Sequence, residues 1–145
     1  MTLTIITINY NNAEGLRKTL ASVASQTYSH IEHVIVDGGS TDNSVEVIRE
    51  YESTLALSPH RLIASRLKWL SEKDTGIYNA MNKGIEIALG CRIVNEDHTS
   101  SPIANNQSPI AQTDYIQILN SGDILAAPDV TERMMAALQD KIKQQ

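Results

Sequence analysis

Residues 3–12, Leu3-Thr4-Ile5-Ile6-Thr7-Ile8-Asn9-Tyr10-Asn11-Asn12, decide how the chain is read. Leu3 to Ile8 is a short, β-branched, apolar run, the pattern of a strand buried on both faces. It stops at Asn9. Asn11 and Asn12 then offer helix-start chemistry, and Glu14 sits where a capping-box acid would reach back from Asn11. Leu16, Leu20 and Val23 recur at helical spacing and predict a helix to about Gln26. Ile31 to Val36 repeats the strand pattern and ends in Asp37-Gly38-Gly39-Ser40. Strand, helix, strand in this order predicts parallel pairing with a right-handed crossover.

The same alternation continues outward. Val45 and Ile48 mark a second helix after Asp42 and Asn43. Arg66 to Leu70 reads as a third strand. Asp74 and Thr75 are N-cap candidates for a third helix with apolar positions at Ile77, Met81, Gly84 or Ile85, and Ala88, stopped by Gly90. Tyr115 to Leu119 reads as a fourth strand, followed by Asn120-Ser121-Gly122-Asp123. A last helix opens at Pro128, with Asp129 and Glu132 in its first turn and Lys141 and Lys143 in its last, as the helix dipole favours. Two stretches interrupt the pattern. Residues 53–65 leave room for a short extra helix. Residues 91–113 are polar, rich in Ser and Asn, and carry Pro102 and Pro109, which predicts one long, mobile loop inserted into the domain.

The chain has 145 residues, one domain's length, and 41% hydrophobic residues, enough for a packed core. A formal charge of -5 without a basic stripe argues against a nucleic-acid partner. One cysteine, Cys91, excludes an internal disulfide and reads as a small, partly buried residue. His30, His33, His60 and His98 form no metal-ligand spacing and are read as surface or loop residues. No secretory leader and no run of transmembrane length is visible, so the expected location is cytoplasmic, with a peripheral place at the inner membrane face left open.

In an open parallel sheet, ligands bind beyond the carboxyl ends of the strands. Polar clusters follow each strand here: Asn9, Tyr10 and Asn11 the first, Asp37 the second, Glu72 and Asp74 the third, and Asp123 the fourth. No G-x-G-x-x-G follows the first strand and no glycine-lysine phosphate loop occurs, which argues against a dehydrogenase and a P-loop enzyme.

Ile6-Thr7-Ile8-Asn9-Tyr10-Asn11-Asn12 and Val34-Ile35-Val36-Asp37-Gly38-Gly39-Ser40-Thr41-Asp42 resemble the nucleotide-binding start of family 2 glycosyltransferases, which have the GT-A fold. Residues 71–84, from Ser71-Glu72-Lys73-Asp74 to Asn82-Lys83-Gly84, are similar to a subgroup frequent among bacterial surface-polysaccharide enzymes. Leu119-Asn120-Ser121-Gly122-Asp123 is similar to that subgroup's version of the metal-binding D-x-D region. The resemblance leaves out residues 53–65, 91–113 and the last few.

The resemblance implies an α/β fold, GT-A-like and Rossmann-like, with a mostly parallel sheet flanked by helices. It implies an inverting enzyme that moves a sugar from a nucleotide-sugar donor, UDP-linked, to a saccharide or lipid-linked acceptor in polysaccharide biosynthesis. Ile8, Asn9 and Tyr10 would line the base pocket, with Tyr10 against the ring. Asp37 would accept a hydrogen bond from base or ribose, or serve the turn alone. Glu14 would contact the ribose region or cap its helix. Asp74 and Asn82 would lie near ribose and diphosphate, and Lys83 would face phosphate or solvent. Asp123 would hold Mg²⁺ or Mn²⁺ against the diphosphate, a hard ion suited to oxygen ligands.

The sequence also departs from the pattern. Asp123 is the one acid left in the D-x-D region, Met81 stands where many relatives carry arginine, and the 91–113 loop is absent from typical relatives. Family members continue past the helix at Pro128 into the part that supplies the acceptor site and general base, so no catalytic residue is assigned. The chain then corresponds to the nucleotide-sugar-binding half of such an enzyme, ending after the metal-binding region. Self-association or a complementing chain is expected of it. A binding module without transfer activity is the alternative reading. A small nucleotidyltransferase fits less well, because the first loop is Asn-rich and lacks a glycine run.

Overall fold

The computed structural model describes residues 1–57, 66–103 and 113–144. Its elements are β1 (Leu3–Asn9), α1 (Ala13–Ala24), β2 (Ile31–Asp37), α2 (Ser44–Leu55), β3 (Leu67–Ser71), α3 (Ile77–Ala88), β4 (Arg92–Val94), β5 (Ser100–Pro102), β6 (Tyr115–Ile118) and α4 (Val130–Lys143). Four strands form one sheet in the order β3-β2-β1-β6, all parallel. β1 and β2 occupy its centre, and every residue of β1 is buried. That is why β1 reads as a continuous β-branched run and β2 carries Val34-Ile35-Val36 before its polar end.

Alternate residues of the central strands feed opposite faces. Leu3, Ile5 and Ile31 pack with Val23 of α1 and Met135 of α4, while Ile35 packs with Leu16 and Leu20 of α1 and Ile48 of α2. Ile6, Ile8, Val34 and Val36 pack with Ala80 and Ile87 of α3 on the other face. α3 lies so close that a Cβ at Gly84 would meet Ile6 Cγ2 at 2.5 Å. Glycine costs helix stability there, and the approach to β1 requires it.

Several local expectations change. Asn12, not Asn11, caps α1 and accepts from Gly15 N at 3.2 Å. Asn11 takes φ +47° and turns its Oδ1 to Thr41 N at 2.7 Å, which ties the β1–α1 turn to the β2–α2 turn. Glu14 is therefore the second helical residue, one short of the capping-box position. α3 starts at Ile77 with Gly76 at the cap. Asp74 does not cap α3 but accepts from Gly76 N at 3.0 Å, two residues on. Asp129 precedes α4 without capping it and pairs with Arg133 at 3.2 Å.

His33 is not a surface residue. It is fully buried under α2, with Nε2 2.8 Å from Thr7 Oγ1 and Nδ1 3.2 Å from Tyr51 Oη. Its ring is apolar enough to fill a core site once both nitrogens are partnered. Burial pushes its pKa down to about 3 and pushes the Tyr51 hydroxyl up.

Part of the expected long loop is ordered differently. β4 and β5 pair antiparallel, and the turn between them docks on β3. His98 stacks on Trp69 with ring centroids 3.4 Å apart, and its backbone oxygen accepts from Ser71 N at 2.8 Å. Residues 104–112 lie outside the described part, as do 58–65, the stretch with room for a short extra helix.

Candidate active site

A cleft of about 460 Å³ opens beyond the carboxyl ends of β1 and β2, within the range of small-ligand sites. Ile8, Ile77 and Ala80 give it apolar walls. Asn9, Tyr10, Gly38 and Asp74 form one side, and Asn120 and Ser121, just after β6, form the other. Lys73 brings the cationic residue that lines it. The parallel register aligns Asn9 with Asp37 and Asp37 with Ser71, so three strand ends stop at one level and their turns converge there.

Tyr10 is 63% exposed at the rim, an aromatic face open to a flat ligand. Asp74 sits across Gly38 from it. One Asp74 oxygen takes the Gly76 amide, and Oδ2 has no hydrogen-bond partner among the described residues. Oδ2 and the Tyr10 ring both crowd the Gly38 Cα: a Cβ there would lie 2.8 Å from the first and 3.4 Å from the second.

Asp37 occupies a different layer. It is fully buried, and its carboxylate accepts four protein hydrogen bonds: from Asn9 Nδ2 (2.8 Å), Ser40 Oγ (2.6 Å), Ser40 N (2.9 Å) and Ser71 Oγ (2.8 Å). These bonds join the ends of β1, β2 and β3 behind the cleft. Asn9 is itself 1% exposed, and its nitrogen must face the Asp37 carboxylate, which fixes the amide's orientation.

Of the residues selected from sequence, the structure therefore brings Ile8, Asn9, Tyr10 and Asp74 to the cleft. It sets Asp37 one layer behind. Glu14 and Asn82 are exposed on α1 and α3 and do not line it. Lys83 faces neither phosphate nor solvent. It is 9% exposed, with Nζ 3.4 Å from Lys73 O and 3.4 Å from Glu72 Oε1. Burial raises the Glu72 pKa, but hydrogen bonds from Ser100 and the Lys83 charge outweigh that and hold it below the usual value. This network braces the segment that carries Lys73 and Asp74.

Asp123 is exposed at the Asn120–Asp123 turn, next to the cleft but not lining it, and its carboxylate has no partner among the described residues. Asn120 Oδ1, in the same turn, is buried and unpartnered. Two oxygen donors of this kind fit a hard divalent cation that draws its remaining ligands from a diphosphate and water. No group of three or more acidic, His or Cys side chains suited to a metal occurs among the described residues.

Sequence reasoning missed the lining residues Gly38, Lys73, Asn120 and Ser121, and Gly76, Ile77 and Ala80 at the start of α3. Gly38 carried a signal, since it follows the second strand directly, but it reads as a turn glycine until Asp74 is seen beside it.

The Glycosyl transferase family 2 model matches residues 4–98. The chain is 33% identical over 141 residues to an uncharacterised glycosyltransferase of Mycobacterium tuberculosis, covering 97% of this chain and 41% of that protein. It is 38% identical over 86 residues to a PGL/p-HBAD biosynthesis glycosyltransferase of Mycobacterium bovis, covering 59% of this chain and 30% of the relative. Among solved structures, it is similar to a Pyrobaculum calidifontis mannosyltransferase in complex with GDP-Man and Mn²⁺. There the TM-score is 0.60 at 22% identity, over 87% of this chain and 29% of that one. It is also similar to S. aureus TarS 1–349 in complex with UDP-GlcNAc, with a TM-score of 0.61 at 19% identity, over 97% and 32%. At these identities the two structures speak for the fold.

Proposed function

The chain belongs to glycosyltransferase family 2, with its GT-A fold, and from that premise we propose that the cleft beyond β1 and β2 binds the nucleotide of a UDP-sugar donor. The observation that carries this reading is the Tyr10, Gly38 and Asp74 wall: an open aromatic ring beside a carboxylate oxygen without a protein partner. The ring stacks on the base, and Asp74 Oδ2 accepts from it. Uracil and guanine present a ring N–H to such an acceptor, whereas adenine and cytosine present a ring acceptor in its place. TarS was solved with UDP-GlcNAc and the mannosyltransferase with GDP-Man, both donors of the first kind.

The proposed reaction is in-line displacement. An acceptor hydroxyl attacks the anomeric carbon, the bond to the diphosphate breaks, and the configuration inverts. Ile8, Asn9 and Tyr10 hold the base, and Asp37 keeps three strand ends in register beneath it. Glu14 and Asn82 remain candidates for the outer ribose and diphosphate region. Asp123 and Asn120 would hold Mg²⁺ or Mn²⁺, which when bound supplies positive charge against the leaving diphosphate.

The chain spans 41% and 30% of the two relatives above, so transfer to a saccharide or lipid-linked acceptor is proposed of the whole protein. The general base remains unassigned in these residues. No helix among the described residues is long and apolar enough to cross a membrane. A donor-binding module that transfers nothing by itself is the second reading.

A donor panel tests the proposal. Mass spectrometry of the purified chain after incubation with UDP-, GDP-, ADP- and CDP-sugars should show retention of UDP-sugars. Retention of none, or of ADP- and CDP-sugars first, would overturn it.

A further inference from the structure

The segment after β6 has no regular structure until α4, yet its path is fixed side chain by side chain from α1. Thr19 and Ser22 lie on one face of α1, and Gln26 follows just past its C-cap Ser25. Thr19 Oγ1 accepts from Gly122 N at 2.9 Å and donates to Asp123 O at 2.7 Å. Ser22 Oγ accepts from Leu125 N at 3.2 Å. Gln26 Nε2 donates to Ala127 O at 2.9 Å, and its Oε1 accepts from Thr131 N and Thr131 Oγ1 at 3.1 and 2.8 Å. Thr19 and Thr131 are fully buried.

Thr19 is the rung at the cleft end of this ladder. The Asn120–Asp123 turn is held on its other side by β1, through Leu119 N to Ile6 O at 2.8 Å and Ser121 N to Ile8 O at 3.0 Å. Gly122 takes φ +100°, a conformation that glycine adopts without strain, and its amide donates to Thr19. Thr19 thus grips the 121–122 and 123–124 peptide groups, which bracket the Gly122–Asp123 unit, one through each role of its hydroxyl. The Asp123 side chain makes no hydrogen bond among the described residues, so the backbone alone sets where its Cα–Cβ bond points and which rotamers reach the cleft side.

We propose that Thr19 is a positioning residue for cation binding: its hydroxyl fixes the backbone of residues 122–123 so that the Asp123 carboxylate and Asn120 Oδ1 act together on a divalent cation bound with the nucleotide diphosphate. This rests on the proposed roles of Asp123 and the cleft. The residue touches neither ligand and acts through the turn, as groups behind metal ligands commonly do.

The test is UDP titration of the chain with and without Mn²⁺, for wild type, Thr19→Val, Thr19→Ser, Asp123→Ala and Thr19→Val/Asp123→Ala. Thr19→Val should leave metal-free UDP affinity unchanged and cut the Mn²⁺ enhancement by about tenfold, the lower end of the effect of outer-shell partners. Thr19→Ser should restore it, and the double variant should be no worse than Asp123→Ala. Should Thr19→Val not fold, Thr19→Cys, with its weaker donor and acceptor, carries the same comparison and should lie between Val and wild type. A full Mn²⁺ enhancement in Thr19→Val, or equal weakening with and without Mn²⁺, overturns the inference while Asp123 keeps its role. No Mn²⁺ effect in the wild type, or none lost in Asp123→Ala, removes the cation reading and this inference together.

Discussion

The Asp74 carboxylate occupies the space that a side chain on residue 38 would take: a Cβ on Gly38 would lie 2.8 Å from Asp74 Oδ2. A contact that short forces a shift, and the carboxylate can move because it ends a flexible side chain. Gly38→Ala is therefore expected to keep the fold and to turn Asp74 out of place. UDP affinity should fall by about tenfold, equivalent to ~1.4 kcal/mol, with a small change in Tm. Calorimetry and a thermal melt on the same sample check both halves.

Asp37 and Asp74 should separate into two effects. Asp37→Asn leaves buried donors without their acceptor and should cost stability by about 1–3 kcal/mol. Asp74→Asn keeps a half-exposed site and should leave the unfolding midpoint near wild type while weakening UDP. Urea unfolding and UDP titration of the two variants give the comparison. A stable Asp37→Asn, or an Asp74→Asn that binds UDP as before, would contradict the assignment.

His33 gives a pH dependence whose sign is fixed. Its folded pKa is about 3 and its ordinary value 6.5, so the unfolded chain takes up the proton first as pH falls. Its contribution is complete above about pH 6.5 and shrinks by roughly 1.4 kcal/mol per pH unit below that, down to about pH 3. Between pH 7.5 and 5 the wild type should therefore lose about 2 kcal/mol that a His33→Gln variant does not. Urea unfolding at the two pH values measures the difference. Parallel curves would mean that His33 is not held neutral in the core.

Much of the fold was legible because β1 and β2 are covered on both faces, which produces continuous β-branched runs such as Leu3–Ile8, too short for a helix. The same burial hid His33, whose partners Thr7 and Tyr51 are supplied by the fold and not by its sequence neighbours. β4 and β5 are three residues each, too short to show a period. The site was legible to the level of strand ends. The division between Asp37 and Asp74 was not, because both follow strands directly and differ only in which donors the fold brings to them. Thr19 was invisible for a related reason: it lies between Leu16, Leu20 and Val23 on a helix, and the turn it holds is about a hundred residues away in the chain.

Transfer activity should divide along the chain's length relative to its relatives, of which it spans 41% and 30%. With UDP-sugars and lipid-linked acceptors, the purified 145-residue chain should bind donor and show little transfer. A longer protein carrying the remaining region should turn over. Robust turnover by the 145-residue chain alone would place a general base among the present residues.

Whether the cleft holds a nucleotide is tested most directly by calorimetric titration of UDP into the purified chain, its Tyr10→Ala variant and its Asp74→Ala variant. Saturable binding to the wild type at one site is expected, weakened in each variant by about 1–3 kcal/mol, the range for a lost stacked ring or hydrogen bond. No saturable binding, or equal UDP affinity in all three proteins, would contradict a nucleotide site built on Tyr10 and Asp74.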